Sequence, residues 1–165
     1  SMQEAIREAR EDQDSVGGSI ECVVAGLPAG LGAPDYGKNG EGVFSQYLFS
    51  VPGVKAVAFG AGVAFSLMRG SEANDPFVKK DGAIVTKTNH AGGLNGGITN
   101  GMPVVFEVTM RPTPSIGLPQ ETVNLKTGEE DEVEITGRHD PCIVHRAVPV
   151  IEAAAALAAC EMLGI

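Results

Sequence analysis

The sequence has no tryptophan, only two tyrosines and three cysteines, and its 12 lysines and arginines are outnumbered by 21 aspartates and glutamates. Each shortage removes a class of protein. Cys22, Cys142 and Cys160 are odd in number, widely spaced and free of any Cys-x-x-Cys pair, which argues against a disulfide scaffold and for free thiols in a reducing, cytoplasmic compartment. A formal charge of −9 repels nucleic acid and anionic lipid, so no nucleic-acid partner is expected and any bound anion must be held by a local pocket. Long apolar runs are scarce as well. The only one, Ala147 to Ile165, contains Pro149, Glu152 and Glu161 and falls short of the ~20 clean residues of a membrane span, so no membrane partner is expected. His90, His139 and His145 show no zinc-type spacing with one another or with the cysteines, and no metal site is expected.

What is present is enough for one domain, at most two: 165 residues, 43% of them hydrophobic, can close a packed core without staples. Ser1 precedes Met2, so residues 1–2 read as a vector scar and the native protein is expected to extend further N-terminally.

Gln3 to Asp12 reads as a helix, with Ala5, Ile6 and Ala9 at helical spacing. Ser19 to Leu27 alternates as a strand, Gly42 to Phe49 reads as a helix, and Val54 to Phe59 as a short strand. The signal weakens from Gly60 to Asp81, where Arg69 to Asp75 reads as a mobile loop. Gly82 to Lys87 is an expected strand. Met102 to Arg111 is the clearest strand in the chain, with Val104, Phe106, Val108 and Met110 on one face. Gln120 to Leu125 and Asp131 to Thr136 form an expected hairpin with an acidic tip around Gly128. A final helix is expected from Pro149 to Leu163, with Gly164 as its stop. Its glutamates lie on opposite sides of the axis, so it is expected to be packed on most sides, either between sheets or against another part of the native molecule.

Three phrases could carry chemistry. Residues 88–101 hold five glycines, which suits either close packing and tight turns or the approach of backbone N–H groups to an anion. The spacing matches neither the Walker loop nor the dinucleotide fingerprint. Arg111-Pro112-Thr113-Pro114-Ser115 stiffens a strand end that presents a guanidinium and two hydroxyls, all able to donate to a phosphate; a proline-stopped edge strand is the plainer alternative. Arg138-His139-Asp140-Pro141-Cys142 places a fixed cation, a possible proton carrier and a carboxylate side by side, or forms a structural Asp-Pro turn.

The phrases TNHAGGLNGGITNGMP, RPTPSI and GRHDPC followed by RAVPVIEAAAAL, together with DSVGGSIECVVAGLPAGLG and MRGSEANDPF, resemble the chorismate synthase family in order over nearly the whole chain. The resemblance implies an α+β fold, the C-terminal part of a β-α-β sandwich, with residues 3–165 as the C-terminal domain of an enzyme whose N-terminal part is absent. It implies a lyase that converts 5-enolpyruvylshikimate 3-phosphate, its small-molecule substrate, to chorismate and phosphate by 1,4-anti elimination with reduced FMN, as a homotetramer in the shikimate pathway. By the same resemblance Gly96, Arg111, Pro112, Thr113, Pro114, Ser115 and Arg138 contact the flavin, as do Pro52 and Gly53, and Asp140 helps relay a proton. Arg111 stands where lysine is commoner, which keeps the charge and changes the donor geometry. The family's active-site histidines and most of its substrate-binding arginines have no counterpart here, so the chain alone is expected to be inactive. The alternative is a folding or assembly module without independent ligand binding.

Overall fold

A computed structural model describes residues 1–165. In chain order the elements are α1 (Met2–Glu11), β1 (Gly18–Val24), α2 (Gly40–Phe49), β2 (Val54–Phe59), α3 (Gly70–Ala73), β3 (Phe77–Lys80), β4 (Ala83–Thr86), β5 (Leu94–Asn95), β6 (Ile98–Thr99), β7 (Val104–Met110), β8 (Gln120–Val123), β9 (Glu130–Val133) and α4 (Val144–Leu163).

β7 organises the molecule. It is the centre of a three-stranded sheet in the order β1-β7-β2, antiparallel to both neighbours. Its alternation dictates this place, because Val104, Phe106, Val108 and Met110 are all buried while Glu107 between them is exposed. α2 and α4 cover the apolar face, joining Phe44, Leu48 and Ile151 to the strand residues in one core. Phe44, Phe59 and Phe106 meet there with ring centroids 5.7 to 6.5 Å apart, within the usual range for aromatic pairs. The result is an α+β unit of one sheet and one helical layer.

The start of the last helix is corrected. It begins at Val144, not at Pro149, which sits inside it. Val144 and Ala147 extend the buried stripe one turn upstream of Ile151, Ala154, Ala155 and Ala158. That burial outweighs the single ladder bond the proline ring removes. Within this chain the helix keeps one open apolar face, with Val148, Val150 and Leu157 exposed, so it is not sandwiched between sheets here. The buried stripe is mostly alanine, so α2 approaches closely on that side, while the larger apolar side chains lie outside it.

The weak region also resolves differently from its reading. Arg69 to Asp75 contains the single helical turn α3, closed where the Glu72 carboxylate accepts the Arg69 N–H at 2.9 Å. Phe77–Lys80 is a strand that pairs with β4 across the turn at Asp81 and Gly82. Both turn residues have positive φ, 50° and 85°, the geometry that Asp-Gly hairpins favour.

Candidate functional site

The C-terminal end of β7 gathers most of the residues singled out in the sequence. Pro112 and Pro114 end the ladder because neither can donate to it. The Arg111 N–H donates to the Gly53 carbonyl at 2.9 Å, beside the Val54–Met110 pair, so the Pro52-Gly53 turn and Arg111 are joined directly. Gly53 has φ +96°, and a Cβ there would come within 3.2 Å of Met110 Cε. The Ser15 hydroxyl donates to the Thr113 carbonyl at 2.6 Å and ties the turn to the segment before β1.

Ser115 brings in the Arg138 to Cys142 phrase. Its Oγ lies 3.3 Å from His139 Nδ1, while His139 Nε2 lies 2.7 Å from the Ile135 carbonyl. A carbonyl only accepts, so Nε2 carries the hydrogen of that contact, and Nδ1 faces the Ser115 hydroxyl. The sequence reading offered His139 only as a possible proton carrier; in the structure it is the brace between the two phrases. Thr113 Oγ1 is buried with no hydrogen-bond partner. Leaving such a group unpaired costs about 1–3 kcal/mol, so an unused hydroxyl sits at the centre of the turn.

Asp140 is a carboxylate held by its neighbours. Partial burial pushes its pKa up, and this is outweighed by Arg146 Nη1 at 3.0 Å from Oδ2, the Cys142 N–H at 3.2 Å from Oδ1, the Arg146 charge and His145, leaving it below the usual carboxylate value. It is therefore ionised at neutral pH. Arg146, read in the sequence only as a basic neighbour of Cys142, is its partner. Arg138, Asp140 and Arg146 line a hollow of about 460 Å³ with Arg10 of α1. Nothing in the motif phrases pointed to Arg10; its place in the last turn of α1 was the available signal.

Gly96 lies elsewhere. It turns the β5–β6 hairpin, which is pressed against the start of α2: the Gly40 N–H donates to the Gly97 carbonyl at 2.8 Å. That is the Val104 end of β7, opposite Arg111, and seven residues of strand separate the two ends by about 20 Å. Most of the glycine-rich phrase serves packing. A Cβ at Gly92, Gly93 or Gly97 would fall 2.5 to 2.6 Å from a neighbouring atom, whereas one at Gly96 meets nothing within 4 Å. Gly96 is open to a ligand or another chain.

Asp75 anchors the same phrase. Its side chain is 3% exposed, and it accepts from the Thr88 hydroxyl at 2.6 Å and from the His90 and Ala91 N–H groups at 2.8 Å each. Burial alone would raise its pKa, but these donors and the nearby His90 hold it below the ordinary value. Sequence reading placed Asp75 in a loop; its partners lie 13 to 16 residues away, beyond any local pattern.

The chorismate synthase family profile matches residues 1–163. The chain is 54% identical over 157 residues to a chorismate synthase from Methanocella arvoryzae, covering 95% of this chain and 42% of that protein. It is 49% identical to one from Thermococcus gammatolerans, covering 98% and 45%. A crystal structure of a chorismate synthase superposes with a TM-score of 0.78 at 27% identity, over 98% of this chain and 41% of the other. The chain thus spans less than half the length of the curated relatives it matches, and no helix in it is long and apolar enough to cross a membrane. A match over nearly every residue, in sequence and in fold, means that the chain belongs to the chorismate synthase family.

Proposed function

We propose that this chain is the C-terminal part of an enzyme that converts 5-enolpyruvylshikimate 3-phosphate to chorismate and phosphate by 1,4-anti elimination, and that it supplies one end of the reduced-FMN site. The observation that carries the reading is the buried, unpaired Thr113 Oγ1 inside the turn braced by Ser115 and His139. A phosphate fits that donor set, since the Thr113 hydroxyl and the Arg111 guanidinium donate and neither bears negative charge, while the Ser115 hydroxyl is engaged with His139. Arg138 adds a cation at the adjoining hollow. In an acidic protein these localised donors hold an anion that the overall field would repel.

Reduced FMN, when bound, supplies the electron density that lets the phosphate leave. The chain's own residues bind and orient. Asp140, already ionised and fixed by Arg146, holds a carboxylate near the site that can accept a proton and does not carry one at neutral pH. Pro52 and Gly53 buttress Arg111 through the Gly53 carbonyl.

Gly96 supports an assembled site. A phosphate held by Arg111 to Ser115 is separated from the Gly96 of the same copy by the length of β7, about 20 Å, which favours a site that draws its Gly96 from a second copy, in keeping with a homotetramer. Turnover by this chain alone is not expected. The free thiols suit a reducing, cytoplasmic setting.

Titration of oxidised FMN into the chain, followed by flavin fluorescence with riboflavin as the phosphate-free control, tests the reading. Saturable binding of FMN but not riboflavin is expected, and Thr113→Val lowers FMN affinity by about fivefold to tenfold, the worth of one hydrogen bond. Equal binding of the two flavins would remove the phosphate role from this turn.

A further inference from the structure

The Ser115–His139 contact leaves one ring atom free to change state. His139 Nε2 donates to the Ile135 carbonyl at 2.7 Å, so the ring gains or loses a proton only at Nδ1, the atom that faces Ser115 Oγ at 3.3 Å. The two states use the serine differently. With Nδ1 bare, it accepts the Ser115 hydroxyl hydrogen, and that hydrogen is lost to any ligand in the turn. With Nδ1 protonated, its N–H donates to Ser115 Oγ, the hydroxyl hydrogen is released to point at a ligand, and the ring adds a positive charge to the brace.

The charges around the ring nearly cancel. On the side of residues 134–137, His139 shares a hollow of about 370 Å³ with Arg10, Asp14 and Glu134. On its other side it shares the 460 Å³ hollow with Arg10, Arg138, Asp140, His145 and Arg146. The guanidiniums of Arg10, Arg138 and Arg146 thus stand against the carboxylates of Asp14, Glu134 and Asp140, and Asp140 is already bonded to Arg146. A phosphate dianion entering the turn breaks that balance. Its charge favours the imidazolium, and its oxygens need the Ser115 hydrogen as a donor.

We propose that His139 is a positioning residue of the phosphate site: a bound phosphate monoester draws a proton from solvent onto His139 Nδ1, and this turns the Ser115 hydroxyl from the imidazole to the phosphate. The inference rests on the reading of the Arg111 to Ser115 turn as a phosphate site, and it adds one residue and one proton to that site. The ligand is then held by Arg111, Thr113 and Ser115 together. The response belongs to the phosphate alone, since a flavin without one brings no charge to draw the proton. The Ile135 carbonyl makes it one-sided, because it keeps a hydrogen on Nε2 in both states.

Calorimetric titration of FMN into the 165-residue chain at about pH 7.5, where a phosphate monoester is already dianionic, tests the proposal when it is run in both Tris and HEPES. The two buffers differ in heat of ionisation, so the difference between the observed heats counts the protons taken up. The expected uptake is about half a proton or more per FMN, and FMN affinity should then fall by about threefold to tenfold for each pH unit above 7. His139→Gln keeps an amide donor for the Ile135 carbonyl and should bind FMN more weakly, with no uptake and a flat pH profile. His145→Gln removes the other imidazole of the hollow and should behave as the parent does. In the parent chain, nitrogen-15 spectra of the His139 ring should show both nitrogens protonated once FMN is bound, a readout that needs no variant to fold. FMN binding without proton uptake, uptake that survives His139→Gln in a chain with the parent circular dichroism spectrum, or a bare Nδ1 in the FMN-bound spectrum overturns the proposal and leaves the phosphate reading standing. Absence of FMN binding, or equal binding of riboflavin, overturns both.

Discussion

Asp140 and Asp75 are both carboxylates held below their usual pKa, and they have different consequences. Asp140 is 29% exposed and bonded to an Arg146 that is itself 72% exposed, so solvent screens the pair and its contribution to stability is small. Its importance is expected in turnover. In the full-length enzyme, Asp140→Asn keeps the shape and removes the charge, and steady-state kinetics beside FMN titration should show kcat falling by tenfold or more with FMN affinity changed less than threefold. Unchanged turnover would remove Asp140 from the proton pathway. Asp75 is buried and satisfies three donors, so its effect belongs to folding. Its depressed pKa stabilises the fold fully above the ordinary carboxylate range near pH 4, and that stability is lost as pH falls through the lower folded value. Asp75→Asn should cost about 2–3 kcal/mol at pH 7, because an amide nitrogen now faces a backbone N–H. It should also flatten the acid limb of stability measured by urea unfolding across pH.

At the scale of elements, α4 separates what burial does from what composition suggests. Ile151 is fully buried and Leu157 is 57% exposed. Ile151→Ala should therefore cost about 2–5 kcal/mol by denaturant unfolding, and Leu157→Ala less than about 0.5 kcal/mol. A large loss at Leu157 would mean that its face is covered in solution. The same helix shows where the sequence was legible. β7, β1 and α2 were readable because their alternation or helical spacing matches burial on one face, and β2 because it is a short apolar run. The start of α4 was hidden by Pro149, whose local preference is overridden by the packing of Val144 and Ala147. β3 was hidden because Phe77-Val78-Lys79-Lys80 is too short to show a period and is exposed throughout. The Arg111 to Ser115 and Arg138 to Cys142 phrases were visible as motifs, but their junction rests on the Ser115–His139 contact across 24 residues, which no spacing rule reveals. The anchoring of residues 88–91 by Asp75 was invisible for the same reason.

At the scale of the whole molecule, the separation of Gly96 from Arg111 decides how many copies a working site needs. If one flavin draws Gly96 from one copy and Arg111 to Ser115 from another, damage to the two elements can be complemented between subunits. Gly96→Val fills the open space at the hairpin, and Arg111→Ala removes the cation; in the full-length enzyme each variant alone should be nearly inactive. Unfolded together and refolded as a mixture, they should regain activity, because a mixed pair forms one site with both elements damaged and one with both intact. Random pairing makes half of the pairs mixed, so the recovered activity should approach about a quarter of the parent value. A site built within one copy would recover nothing, since every Gly96→Val subunit and every Arg111→Ala subunit would carry its own defect. Recovery near that ceiling would also require the two ends of β7 to face each other across the subunit boundary.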